Sequence, residues 1–180
     1  AGNVITEKDG NNNTTGYQYD ASNQLTKITF LNSTTFRFVY DANGNKTKEI
    51  NQKGLATLFS YDKLNKTVSI TDALGSVSYF IYDPKGNLIN IIDAKGNSIS
   101  YNYDSRNKLI KQTYPDGSSK KFTYDSNELI ISRTDNNGIT TQYKYDKLNR
   151  LVERNYPGNV NETFSYNAIG QMLTAVNANA

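Results

Sequence analysis

The sequence predicts an all-β fold, a repeat array of antiparallel β-hairpins, from three observations. A Tyr-Asp dipeptide recurs at a strict 21-residue step, an aromatic residue stands two positions before each repeat Tyr, and every period carries two turn signals. The dipeptides are Tyr19-Asp20, Tyr40-Asp41, Tyr61-Asp62, Tyr82-Asp83, Tyr103-Asp104, Tyr124-Asp125 and Tyr145-Asp146, and Tyr166-Asn167 is an eighth copy with an amide for the acid. No insertion or deletion disturbs the phase. Gly2-Asn3-Val4-Ile5 matches Gly86-Asn87-Leu88-Ile89, so a partial copy precedes the eight, and residues 1–180 read as one array.

The first strand of each period carries the aromatic pair. Tyr17, Phe38, Phe59, Phe80, Tyr101, Phe122, Tyr143 and Phe164 precede the repeat tyrosines by two. Side chains two apart share a face of an extended strand, whereas on a helix they diverge by about 200°. The rings are therefore expected to stack and cover one another while the acid opens the turn. The first turn is Asp-x-x-Gly/Asn, as in Asp41-Ala-Asn-Gly44 and Asp83-Pro-Lys-Gly86. A leading Asp accepts hydrogen bonds from backbone N–H groups ahead of it, and Gly or Asn tolerates a positive φ at the close. Glu128 stands in that closing column, and a locally altered turn is expected there. The second strand, such as Leu88–Ile92, is rich in β-branched residues and opens on a large apolar residue, except at Lys46 and Thr67. The second turn closes on Gly54, Gly75, Gly96, Gly117 or Gly138, with Ser33 and Asn159 as departures; Gly44, Gly86 and Gly170 close the first. Pro84, Pro115 and Pro157 all fall in turns, where no ladder donor is lost.

About sixteen short strands result, with successive hairpins side by side. The alternative is a β-solenoid with one 21-residue coil per repeat, stacking identical residues. A single sheet with one aromatic face is expected to twist and curl into a spiral shell or tube segment.

Composition removes several chemistries. The chain has no His, Cys or Trp, so it offers no Ser-His or Cys-His nucleophile pair, no thiolate or imidazole zinc site and no disulfides. A net charge of +3 leaves no nucleic-acid footprint, and no apolar run approaches the roughly 20 residues that span a bilayer. With 36% hydrophobic residues and a mean hydropathy of −0.68, any buried core is lean, and the 14 Tyr must supply much of it. Loops such as Asp9–Asn13 lack the order of a calcium loop and read as turns. Glycoside hydrolysis needs two differently tuned acids in one cleft, whereas these acids are interchangeable. No catalytic, metal or cofactor residue is assigned. Lys108, Lys111, Lys120, Lys121, Arg150 and Arg154 read as a solvated face and edge protection.

The Tyr-Asp-x-x-Gly/Asn-x-Leu core, as in Tyr82–Leu88 and Tyr145–Leu151, resembles the YD-repeat (Rhs-repeat) family over essentially the whole chain. The resemblance implies a strip of hairpins spiralling into a hollow shell of a secreted or surface-displayed bacterial protein, often around a toxic segment. The self-cleaving core domain that usually follows the repeats in that family has no match here. Neither end reads as a polar cap, so the array is expected to be part of something larger. Its edge strands are expected to pair with further repeats or with one another. The function that follows is a non-catalytic structural scaffold. Its rival is an adhesion module in which the repeated Tyr, Asp and Asn side chains bind cell-surface glycans.

Overall fold

The computed structural model describes residues 2–158 and 160–177. Seventeen strands and no helix occur among them. The chain divides into two compact units, one running to Ile81 with Ile91–Gly96 added, the other comprising Tyr82–Asn90 and the chain from Asn97. In the first unit lie β1 (Thr6–Lys8), β2 (Thr14–Tyr19), β3 (Leu25–Thr29), β4 (Thr35–Tyr40), β5 (Lys46–Ile50), β6 (Ala56–Tyr61) and β7 (Thr67–Thr71). Strands β8 (Val77–Tyr82) and β9 (Leu88–Ile92) contribute residues to both units. The second unit holds β10 (Ser98–Tyr103), β11 (Leu109–Thr113), β12 (Ser119–Tyr124), β13 (Ile130–Thr134), β14 (Thr140–Tyr145), β15 (Leu151–Tyr156), β16 (Val160–Tyr166) and β17 (Met172–Asn177).

Within each unit, chain-consecutive strands pair antiparallel. Each Tyr-bearing strand forms a hairpin with the strand after it: Tyr17 faces Ile28, Phe59 faces Ile70, and Phe122 faces Arg133. Hairpins then join through a shorter seam, for example Lys27 with Arg37, Ile28 with Phe36 and Thr29 with Thr35. A coil-per-repeat solenoid would set equivalent strands in parallel. Among the described residues no such pairing occurs, and the registers are those of hairpins. Each hairpin carries a β-bulge just before its repeat Tyr, as between Gln18 and Tyr19 or Asn102 and Tyr103, which sets Tyr19 against Leu25 and Tyr103 against Leu109.

Both turns of the period are built alike. The N–H of Gly44 donates to the Asp41 carbonyl at 3.1 Å and that of Gly75 to Asp72 at 3.1 Å, with the closing residue left-handed. This is a type I turn followed by a bulge residue. The altered turn expected at Glu128 does not form. Glu128 takes φ +66° and donates its N–H to Asp125 at 3.2 Å, as Asn107 and Asn149 do in their turns. The turn is retained because Asp125 still accepts the N–H groups of Asn127 and Leu129, each at 2.9 Å. Lys108 Nζ also holds the Glu128 carboxylate at 2.6 Å. Ser33 likewise adopts φ +61°, while Asn159 lies outside the described residues.

Burial alternates with period two in the Tyr-bearing strands: Phe36, Phe38 and Tyr40 are half-buried while Arg37 and Val39 are exposed. The lean core anticipated from composition is absent in the strict sense, since no described residue is fully buried. Backbone pairing and half-covered rings carry the fold. Replacing Glu128 by Asn relieves a left-handed conformation that costs Glu about 1 kcal/mol and gives up an exposed ion pair worth less. Glu128→Asn is therefore expected to raise the urea midpoint, by about 0.5 kcal/mol of stability; an unchanged or lower midpoint contradicts strain at this position.

Candidate functional site

The repeat tyrosines converge on the seam between repeats. The hydroxyls of seven repeat tyrosines reach back 15 residues and donate to a backbone carbonyl. Tyr40 bonds Leu25 at 2.9 Å, Tyr61 bonds Lys46 at 2.8 Å, and Tyr19 bonds Val4 at 3.1 Å. In the second unit Tyr103 bonds Leu88, Tyr124 bonds Leu109 and Tyr166 bonds Leu151, each at 2.8 Å, and Tyr145 bonds Ile130 at 2.9 Å. The acceptor is always the residue set against, or equivalent to that set against, the previous repeat Tyr. It lies beyond the last residue pair of the seam, where no ladder donor reaches it. Partial burial pushes the hydroxyls of Tyr103, Tyr124 and Tyr145 up from their ordinary value, so they remain donors.

The acids of the Tyr-Asp pairs turn inward to their own loops. Asp41 Oδ1 accepts the N–H groups of Asn43 and Asn45 at 2.9 Å each, and Oδ2 accepts Asn45 Nδ2 at 3.0 Å. Asp20, Asp62, Asp104 and Asp146 make the same pair of backbone contacts. Asn167 reproduces it with its amide oxygen, toward Ile169 and Gln171. The side-chain amides of Asn45 and Asn87 and the guanidinium of Arg150 hold Asp41, Asp83 and Asp146 below the usual carboxylate value, and the Lys108 N–H does so for Asp104. Beside this row, Asn45 Nδ2 also reaches Asn65 Oδ1 at 2.8 Å and Asn87 Nδ2 reaches Asn107 Oδ1 at 3.0 Å, so turn is tied to turn across the seam.

Among the aromatics, Phe36 and Phe38 stack with centroids 5.2 Å apart. Elsewhere cations stand between rings of successive repeats, which corrects the reading of the basic residues as a solvated face. Lys46 Nζ lies 4.8 Å from the Phe59 centroid and 5.7 Å from Phe38, with Glu49 as its ion partner. Arg154 lies 6.0 Å from Tyr143 and 5.7 Å from Phe164 while bonding Glu162 at 2.8 Å. Arg150 covers Tyr166 at 4.8 Å, and Lys120 lies over Tyr114 at 5.3 Å. Lys46 thus fills the position held by Leu in other copies, its stem covering ring surface and its charge meeting two π faces. The aliphatic columns gave no signal for this; the coincidence of the Lys46 departure with Glu49 three residues on could have. Lys111 and Lys121 stand directly opposite one another in the ladder, Lys121 exposed and Lys111 half-buried.

Phenol hydroxyls are bound to carbonyls, carboxylates to turn N–H groups, and among the described residues no three metal-ligating side chains converge.

The RHS Repeat family matches residues 1–35, 82–119 and 124–161. Among solved structures the chain is similar to TcdB2-TccC3-Cdc42, at 16% identity and TM-score 0.73, covering 92% of this chain and 10% of that one. It is also similar to TcdB2-TccC3 without its hypervariable C-terminal region, at 15% identity and TM-score 0.74, covering 97% and 11%. The likeness is one of fold, and this chain spans about a tenth of the length of either. No curated protein sequence matches it.

Removing one repeat hydroxyl strands a half-buried carbonyl while keeping the ring. Tyr103→Phe is expected to cost about 1 kcal/mol in a urea titration, and Tyr103→Ala at least twice that; a Tyr103→Phe chain as stable as the parent would show that the hydroxyl contributes nothing. The depressed carboxyls set the acid response. Their folded values lie below the unfolded range, so their contribution is full at neutral pH and is lost as pH falls through and below about 4. The melting temperature should be flat from pH 7 to 5 and drop below 4; a loss already complete at pH 5 would contradict the assignment.

Proposed function

The chain belongs to the RHS Repeat family, and on that premise we propose that it is a non-catalytic structural scaffold, a stretch of β-shell or filament within a larger secreted or surface-displayed bacterial protein. Its repeat signature is Tyr-Asp, and its work is to join hairpin to hairpin. The observation that carries this reading is the use of the signature groups: the repeat hydroxyls above donate to backbone carbonyls of the preceding repeat. A group so occupied at every period serves the array and not one ligand. Enclosure of a toxic segment is the finer form of the same proposal, and it rests on the family alone.

Glycan adhesion would need open rings beside free acids. What favours the scaffold over that rival is the half-burial of the rings and the closure of each carboxylate onto its own turn.

Stability of such an array is close to a sum of repeat and nearest-neighbour terms. Deleting residues 105–125, one 21-residue period, should therefore leave a cooperative fold with β-type circular dichroism. Deleting residues 105–114 breaks the phase and should abolish order in the second unit. If both deletions are equally tolerated, or equally destructive, the scaffold reading fails.

A further inference from the structure

The face of the sheet opposite the rings carries its charge unevenly. Cross-strand partners share a face, so Lys27 and Arg37, paired across the seam between β3 and β4, stand side by side away from the aromatics. Lys48 lies on the same face, two residues from Ile50, the partner of Arg37 on β5. Glu49 is the one acid in strands β3–β6, and it belongs to the aromatic face, opposite Phe38. The carboxylates of Asp20, Asp41 and Asp62 are taken by N–H groups of their own turns. Among the described residues none of the three cations makes an ion pair; Arg37 Nε reaches only the Thr35 hydroxyl, at 3.4 Å.

Like charges directly opposed in a ladder cost stability, and elsewhere the array neutralises its cations. On the equivalent face of the second unit Lys144 stands opposite Glu153 and bonds it at 2.8 Å. Lys108 has Glu128, and Arg150 has Asp146. Nor do the columns impose the cations, since Ser69 and Ser132 stand where Lys27 does, and Thr163 where Arg37 does. Beside the uncompensated charge lie two open aliphatic side chains. Val39 and Leu58, 48% and 45% exposed, flank Lys48 from either side in the ladder. Repulsion of this kind is relieved by acids brought from outside, and the apolar surface beside it by apolar side chains that come with them.

We propose that this patch of β3–β6 docks an acidic amphipathic helix of a partner protein, its carboxylates on Lys27, Arg37 and Lys48 and its apolar side chains on Val39 and Leu58. The proposal goes beyond the scaffold reading by naming what an open face of the scaffold holds. Charge fixes the sign of the partner, and the aliphatic pair fixes its class. A nucleic acid or a sulfated glycan satisfies the cations but leaves Val39 and Leu58 in water. Addition of a strand is excluded as well, because β3, β4, β5 and β6 are each paired on both sides. A helix is the usual cover of a sheet face. Its side chains three or four apart lie about 5–6 Å from one another. Directly opposed side chains of the sheet are about 5 Å apart and diagonal ones about 7–8 Å, so acids and apolar residues on successive turns meet cations and aliphatics in the same order.

The second unit supplies an internal control. Lys111 and Lys121 occupy the columns of Lys27 and Arg37, again directly opposed, but their other ladder partners are Asn102 and Thr134. The probe is a fluorescently labelled helical peptide of about four turns, with Glu and Leu alternating along one face, titrated with the full chain at low salt and read by anisotropy. Lys27→Ser with Arg37→Thr should weaken binding by about fivefold, and Val39→Thr with Leu58→Thr by about threefold. Lys111→Ser with Lys121→Ser should change it by less than about twofold. Removing Lys27 and Arg37 should hold or raise the melting temperature, because the two repel; a lower one contradicts the repulsion from which the proposal starts. Equal losses from the two cation pairs, or no loss on removing the aliphatic pair, would give the face to polyanions by charge alone and overturn the docking. A folded chain that does not bind the peptide overturns the docking and leaves the scaffold standing, whereas a chain without β-type circular dichroism sinks both.

Discussion

A phenol hydroxyl placed on the carbonyl of the preceding unit is the contact on which this molecule depends. The seams described run for only three or four residue pairs, and the bulge before each repeat Tyr takes the chain out of ladder register. A carbonyl is thereby left beyond the last pair, and a half-buried acceptor without a donor is costly. Tyrosine solves both halves of the problem, since its ring fills the space beside the bulge and its oxygen reaches the acceptor. Phe would supply only the first. That is a physical reason for the same residue at each 21-residue step, independent of any ligand.

The turns obey a second rule, in which each closing residue is matched to the side chain of the turn before it. Asn45 precedes Asn65, and Asn87 precedes Asn107, amide meeting amide across the seam. Gln24 lies over Gly44, its side-chain amide 2.9 Å from where a Cβ would stand. Lys108 meets Glu128, an ion pair in place of an amide pair. Variation in the closing column is therefore compensated one repeat earlier.

Much of this was legible in the sequence, and the misses share a cause. Strand polarity, hairpin pairing and the left-handed closing positions followed from columns of Tyr, Asp and Gly, because each of those residue types has a narrow set of backbone uses. The acceptor of the Tyr hydroxyl was not legible, since a carbonyl belongs to every residue and leaves no mark on composition. Arg150 and Arg154 were read as solvated because charge alone suggests it. Only the placement of rings on both sides of Lys46 and Arg154, and of the Tyr166 ring beneath Arg150, shows why cations stand among aromatics. Glu128 was misjudged for a related reason. Its intrinsic preference is outweighed by Asp125, whose hold on the turn does not depend on what closes it.

The absence of any fully buried side chain among the described residues has an evolutionary corollary. A packed interior would constrain most of its lining to a fixed set of volumes, whereas this sheet demands only a phenol, a ring and two bend-formers per unit. The remaining letters can drift without a penalty in packing. Likeness of letters in such a fold falls away long before likeness of shape, as the 16% identity shared with a chain of the same fold illustrates.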